Sequence, residues 1–330
     1  MPWKGERDPY KIWLSEIILQ QTRVDQGLSY YLRFIQKFPT IDQLAAAEDN
    51  VVFKLWEGLG YYSRCRNLIH TARYISSQLN GTFPDSYEAI LQLKGVGPYT
   101  ASAISSFAFD LPNAVVDGNV NRVIARYFGL HTPVDSTEGK KQLTAHADAL
   151  LDKDAPSLYN QAIMDFGATI CKPRQPLCIQ CPLSHHCKAY NENAVELLPI
   201  KEKKIIRRKR WFYYLLLEKD EHFAVSKRSG NDIWQSLHEF PMLEEASEKA
   251  TDAILHSGEI KTLLQQPYKV IDSSPFYKQV LTHQDIYGCF THISIGRNIL
   301  PAKYNMLSKT AIRQLAFPKL INDYLSTKGW

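Results

Sequence analysis

The sequence is short of several things, and each shortage removes a class of protein. No apolar run approaches the roughly 20 residues that span a bilayer, so no membrane partner is expected. The opening residues, Met1-Pro2-Trp3-Lys4-Gly5-Glu6-Arg7-Asp8, contain no apolar signal-peptide core. Only six of 330 residues are cysteine, so a disulfide framework is not expected and the cytoplasm is the expected location. A strong excess of one charge is missing as well. The net charge of +5 does not by itself identify a polyanionic partner. Finally, no convincing strand pattern occurs before residue 200.

The residues that are present divide the chain. Residues 1–200 carry 19 basic and 20 acidic side chains, and residues 201–330 carry 20 and 14. Much of the basic excess sits in Lys201–Arg210, which reads as a solvated linker and would gain phosphate contacts if it lay against a duplex. A helical domain is therefore expected over 1–200, a basic linker over 201–210 and a mixed α/β domain over 211–330.

Asp8-Pro9 reads as an N-cap followed by a first-turn proline, opening a helix that runs to Thr22. Within it, Glu16 lies among Ile12, Trp13 and Leu19, one turn away on either side. A carboxyl on an apolar face loses hydration and keeps its proton near neutral pH. The ordinary alternative is a solvent-facing glutamate. Helical patterns continue to about residue 80, broken by Gly58-Leu59-Gly60-Tyr61-Tyr62-Ser63-Arg64, where Tyr61 and Arg64 suit a wedge and a cation at a base stack, or simple packing. Leu93-Lys94-Gly95-Val96-Gly97-Pro98 is a glycine turn opening a helix. Gly95 and Gly97 permit positive φ, and the N–H groups of such a turn suit an anion. A lone acid, Asp117, then follows two valines and precedes Gly118-Asn119.

Cys171, Cys178, Cys181 and Cys187 are spaced C-x6-C-x2-C-x5-C, which argues for a metal site. One close pair with single flanking cysteines suits an iron–sulfur cluster better than zinc, which usually takes two close pairs. Inside this loop Lys172 and Arg174 sit on a proline-framed turn suited to phosphate. Cys65 and Cys289 read as ordinary buried thiols. After residue 210, Trp211–Leu217 reads as a buried strand with Phe223–Ser226 as its hairpin partner. Helical patterns recur near Glu245–Ser257 and Lys309–Tyr324.

The glycine turn (about residues 91–105), the aspartate and the cysteine spacing (171–187), occurring in that order, resemble the endonuclease III superfamily of helix–hairpin–helix DNA glycosylases over residues 1–190. Bifunctional members carry a lysine where this chain has Tyr99, and a phenol forms no imine. Trp13–Thr22, Gly58–Arg64, Gly95–Thr100 and Val116–Val120 resemble the MutY-type adenine DNA glycosylases, and Trp234–Pro241 resembles their Nudix-like C-terminal domain. The Nudix catalytic box is absent, so that domain reads as a recognition module.

The resemblance implies a monomeric, monofunctional glycosylase, nucleoid-associated if prokaryotic, that excises adenine opposite 8-oxoguanine or guanine in double-stranded DNA. It implies a 4Fe-4S cluster on Cys171, Cys178, Cys181 and Cys187. It implies Glu16 as proton donor to the base, Asp117 as stabiliser of the sugar cation, and Tyr99 and Asn119 as their supports. Gln21 and Tyr61 would enter the duplex, and Leu281-Thr282-His283 would read the opposite base.

Two departures stand out. Leu281 and Thr282 replace an aromatic and a serine. Met1 also directly precedes Pro2-Trp3, with Lys4 where arginine is common. Three other readings compete. They are a mismatch glycosylase for thymine or uracil opposite guanine, a cluster-bearing DNA-binding protein without catalysis, and a nucleotide pyrophosphohydrolase.

Overall fold

The structure, a computed structural model, describes residues 4–202, 206–297 and 299–330. Positions 203–205 of the basic linker lie outside the described residues. The chain divides into two compact units: Met1–Ala46 with Arg66–Lys204, and Ala47–Cys65 with Ile205–Trp330. Among the described residues no helix is long and apolar enough to cross a membrane.

The first unit is helical. It contains α1 (Pro9–Leu19), α2 (Val24–Lys37) and α3 (Ile41–Ala46). After α4 (Asp49–Trp56), which belongs to the second unit, come α5 (Tyr62–Gln78), whose residues to Cys65 also belong to the second unit, α6 (Tyr87–Leu91), α7 (Pro98–Phe109), α8 (Gly118–Phe128), α9 (Thr137–Leu150), α10 (Pro156–Thr169) and the single turn α11 (Lys188–Asn191). The Asp8 carboxylate accepts from the Tyr10 N–H at 2.9 Å and starts α1 with Pro9 in its first turn. The helix stops at Leu19, short of the expected Thr22, because Gln20 turns to ψ 116° and Gln21 takes a left-handed φ of 53°. Ile12, Trp13, Leu14, Ile17 and Ile18 are all buried, and Trp13 packs on Phe83 at 5.9 Å between ring centroids.

At the glycine turn only Gly95 adopts positive φ (84°), and a Cβ there would lie 2.6 Å from that of Asn67. Gly97, expected to share that freedom, is extended (φ −100°, ψ 176°) as the N-cap of α7. Pro98 imposes this, since its ring disfavours helical geometry in the preceding residue.

In the second unit the strands are β1 (Arg208–Lys219), β2 (His222–Lys227), β3 (His238–Glu239), β4 (Met242–Glu245), β5 (Lys269–Ser273), β6 (Tyr277–Val280), β7 (Gln284–Ser294) and β8 (Asn305–Ser308). They form one mixed sheet in the order β3-β2-β1-β7-β5, with β4 on β1, β6 on β7 and β8 on β2. The hairpin of β1 and β2 is as expected. β7 runs parallel to β1 from Arg208↔Gln284 to Glu218↔Ser294. β1 is apolar almost throughout because both its faces are covered. Leu215 and Leu217 pack on Leu255 and Ile260 of α12 (Thr251–Leu255) and α13 (Gly258–Leu263). Tyr214 stacks on Phe290, which stacks on Tyr324.

The helical pattern expected from Glu245 begins only at Thr251. Met242–Glu245 instead pairs with Trp211–Tyr214 as β4. The pattern over Lys309–Tyr324 is split by Pro318 into α14 (Lys309–Arg313) and α15 (Lys319–Thr327). At the start of β1, Arg210 is buried. Its guanidinium donates to Asp232 and Glu244 at 2.6 Å each and to Gln284 at 2.9 Å.

Candidate active site

Two acids line one cavity in the first unit. Glu16 projects from α1 and is buried. Loss of water is the main reason its carboxyl is pushed up to about 7; a hydrogen bond from Tyr99 opposes that rise and the nearby Asp117 charge adds to it. Tyr99 is held well above the usual phenol range by burial and by the Glu16 and Asp117 charges. Asp117 is the N-cap of α8. Its Oδ1 accepts from the N–H groups of Asn119 (2.8 Å) and Val120 (2.7 Å), and its Oδ2 accepts from the Asn119 side-chain amide (2.8 Å). The cap explains the isolated acid before Gly-Asn, because it both starts the helix and is fixed by it.

The cavity, about 580 Å³, is walled by Glu16, Tyr99, Asp117 and Asn119, by Phe107 and Met164, and at its mouth by Lys4. Lys4 pairs with Asp165 of α10 at 2.6 Å. Gln21 is exposed and lines the neighbouring opening beside Glu16 and Asp117.

Two residues missed in the sequence tie this site to the cysteine loop. Arg122 donates to Asn119 Oδ1 (2.9 Å), to the Gly167 carbonyl (2.7 Å) and to the Cys171 carbonyl (2.7 Å). Arg126, one turn on, donates to the carbonyls of Lys172 (2.8 Å) and Leu198 (3.0 Å), and its Nη1 lies 3.5 Å from Cys171 Sγ. The signal was a pair of arginines four apart on the apolar side of α8, where a solvated pair has no reason to be.

The four cysteines carry free thiols. Burial pushes Cys178 and Cys187 up, and the neighbouring thiols push them further. Among the described residues no three His, Cys, Asp or Glu side chains converge on a single ion. Lys172 is half-buried and Arg174 exposed on this loop.

The remaining predicted residues lie in the second unit. Leu281-Thr282-His283 form the tip of the hairpin between β6 and β7, closed by Leu281 N–H to Gln284 O (2.7 Å) and Arg208 N–H to His283 O (3.0 Å). His283 is exposed. The Tyr61 and Thr282 hydroxyls are hydrogen-bonded. Tyr61 is 43 % exposed with φ 48°. Arg64, expected as a DNA-binding cation at a base stack or as simple packing, is 7 % exposed. It lies over the Trp56 ring and donates to Gly60 O at 3.1 Å. The glycine loop leaves carbonyls inward, and Arg64 answers them.

Residues 14–150 match the HhH-GPD superfamily of base excision DNA repair proteins, and residues 212–327 match the NUDIX domain. The chain also resembles solved structures over part of its length. One is a thermostable thymine-DNA glycosylase (TM-score 0.54, 33% identity, 58% of this chain and 88% of that one). Another is a non-covalent endonuclease III–DNA complex (TM-score 0.51, 23% identity, 57% and 86%), which shows the shared fold.

Among curated proteins, the adenine DNA glycosylase of Buchnera aphidicola subsp. Baizongia pistaciae is 38% identical over 242 residues, covering 73% of this chain and 68% of that one. That of Buchnera aphidicola subsp. Schizaphis graminum is 32% identical over 308 residues, covering 93% and 83%. The human adenine DNA glycosylase is 43% identical over 198 residues, but only 36% of its length is covered. The chain belongs to the adenine DNA glycosylase family and is a DNA glycosylase of base excision repair.

Proposed function

We propose that this enzyme is a monomeric, monofunctional glycosylase that removes adenine paired with 8-oxoguanine or guanine in double-stranded DNA. The observation that carries the reading is the pairing, in one cavity, of a carboxyl able to hold a proton near neutral pH with a second carboxylate held by three donors. Cutting an N-glycosidic bond needs those two things: a proton for the leaving base and a negative charge beneath the sugar as it becomes cationic.

Duplex DNA hides the target bond, so the nucleotide must be swung out into the cavity. Glu16 then protonates adenine at N7. The bond to the sugar breaks, and Asp117 stabilises the sugar cation. Glu16, now ionised, takes a proton from the incoming water. Tyr99 hydrogen-bonds Glu16 and Asn119 hydrogen-bonds Asp117, fixing both carboxyls. No lysine stands at position 99, so no imine forms and the strand is left uncut. Gln21 and Tyr61, both held in the left-handed region that ordinarily favours glycine, are the wedge residues. Leu281, Thr282 and His283 read the base opposite.

Cys171, Cys178, Cys181 and Cys187 would hold a 4Fe-4S cluster. When bound, that cluster would cross-link the Lys172–Leu177 loop and offer a one-electron couple. Lys172, Arg174 and the turn of Gly95 and Gly97 contact phosphates. The enzyme works in the cytoplasm, at the nucleoid if the source is prokaryotic.

Single-turnover base release tests the proposal on duplexes carrying A opposite 8-oxoguanine, A opposite G, A opposite T and T opposite G, with nicking read before and after alkali. Adenine loss fastest opposite 8-oxoguanine, with nicks only after alkali, is the expected result. Thymine release would transfer the chain to the mismatch branch. Nicks without alkali would overturn the role given to Tyr99.

A further inference from the structure

The second unit contains a piece of chain that its sequence position would assign elsewhere. Ala47–Cys65 packs with Ile205–Trp330 and carries the loop that ends in Tyr61. Two contacts fasten its foot. The Glu57 carboxylate accepts the Phe317 backbone N–H at 2.8 Å. The Lys54 ammonium donates to the Leu315 carbonyl at 2.9 Å, and it also bridges to Glu57 at 2.8 Å. On the far side of the joint, Ala316 and Phe317 are almost fully buried. Phe317 stacks on Phe240, and the Ala316 carbonyl accepts from the His238 N–H at 2.9 Å. Glu57 and Lys54 therefore grip a rigid part of the sheet domain.

The grip lies at the foot of a loop held in an unusual shape. Gly58, Gly60 and Tyr61 all have positive φ (90°, 79° and 48°). The Trp56 indole N–H donates to Gly60 O at 3.0 Å, and the Tyr62 hydroxyl accepts the Gly58 N–H at 3.2 Å. A tyrosine in left-handed geometry persists only where its surroundings over-determine it. The Tyr61 hydroxyl meets Thr282 of the opposite-base tip, so the loop is tied to the sheet domain at both ends.

We propose that Glu57 and Lys54 are positioning residues through which the sheet domain sets the placement of the Tyr61 wedge. They couple the domain that reads the opposite base to the residue that enters the stack. This rests on the reading that Tyr61 is a wedge and that Leu281–His283 face the opposite base. It adds a second task for the sheet domain: fixing the angle of entry.

Glu57→Ala removes the acceptor of the Phe317 N–H. Glu57→Gln keeps an oxygen there, and Lys54→Met removes the donor to Leu315. Two readouts decide the matter. Hydrogen exchange of the free protein at Gly58–Tyr61 should rise in Glu57→Ala and Lys54→Met and stay close to wild type in Glu57→Gln. Single-turnover excision of A opposite 8-oxoguanine should fall about tenfold in Glu57→Ala, while A opposite G changes no more than about twofold, because misplacing a group by a fraction of an ångström acts on the better-aligned complex. Glu57→Gln should restore the ratio.

Unchanged loop exchange in Glu57→Ala overturns the proposal whatever the substrate. So does an equal loss on both duplexes accompanied by a lowered melting temperature, which is the mark of simple destabilisation. If wild type shows no preference for 8-oxoguanine, the substrate reading fails by itself. The exchange comparison then still decides whether the clamp holds the loop.

Discussion

At the scale of single residues, the proposed chemistry turns on where one proton sits. Glu16 is most stable protonated in the fold, so its contribution to stability is fully present below its ordinary pKa of 4.5 and is lost as pH rises through about 7. Glu16→Gln cannot ionise. Its melting temperature, relative to wild type, should therefore rise between pH 5 and pH 8.5, while base release falls at least about a hundredfold, the usual worth of a positioned acid. A scan of thermal melts against pH, beside single-turnover rates, checks both.

Tyr99 gives a second test. Its hydrogen bond pulls the Glu16 pKa down, so Tyr99→Phe should move the alkaline limb of the pH–rate profile to higher pH. A limb that stays put or moves down would show that Tyr99 does not address Glu16. The sequence disclosed these acids because burial of Glu16 follows from its helical neighbours and the Asp117 cap from the Gly-Asn that follows. It did not disclose the left-handed turn at Gln21 or the burial of Arg64. Those are set by carbonyls that only the folded loops bring near.

At the scale of elements, α8 is the beam between the acid and the cysteine loop. It begins on Asp117, and its buried arginines reach the loop's backbone. A lysine lacks the planar fork by which Arg126 serves the carbonyls of Lys172, Pro173 and Leu198 in different directions. Arg126→Lys should destabilise the protein by about 2–3 kcal/mol, since buried carbonyls are left without donors. Denaturant titration checks this.

The start of β1 is fixed by charge. Asp232 is held well below the usual carboxylate range: burial opposes this, but the hydrogen bonds and charge of Arg210 and Arg228 prevail. A lowered carboxyl contributes stability above its ordinary value of 3.8 that is lost as pH falls. Asp232→Asn should therefore be less stable than wild type at pH 7, and the gap should begin to narrow only once pH falls below 3.8, as followed by circular dichroism.

Element-level legibility was uneven for a physical reason. Helix starts marked by Asp8-Pro9 and the hairpin after Trp211 are local events. β4, β7 and β8 owe their form to pairing with strands distant in sequence, and Glu245, expected to open a helix, is drawn instead into β4 along the edge of β1.

At the scale of the whole molecule, iron content gives the next test. Protein purified without oxygen should carry about four irons per chain and lose them together in Cys181→Ala, as a cubane cluster requires. One zinc per chain would point to a mononuclear site.

The parallel pairing of β1 with β7, and the membership of Ala47–Cys65 in the second unit, bear on how the chain is made. Synthesis runs from the N-terminus, so Val52, Phe53 and Trp56, all buried in the finished protein, leave the ribosome long before the sheet that completes their surroundings. Until Phe317 emerges, the foot of the Tyr61 loop lacks the backbone N–H that Glu57 accepts. A nascent chain stalled before that point, or a polypeptide truncated there, would present those three apolar side chains to chaperones and proteases while every cysteine of the loop, with Glu16 and Asp117, had already been made.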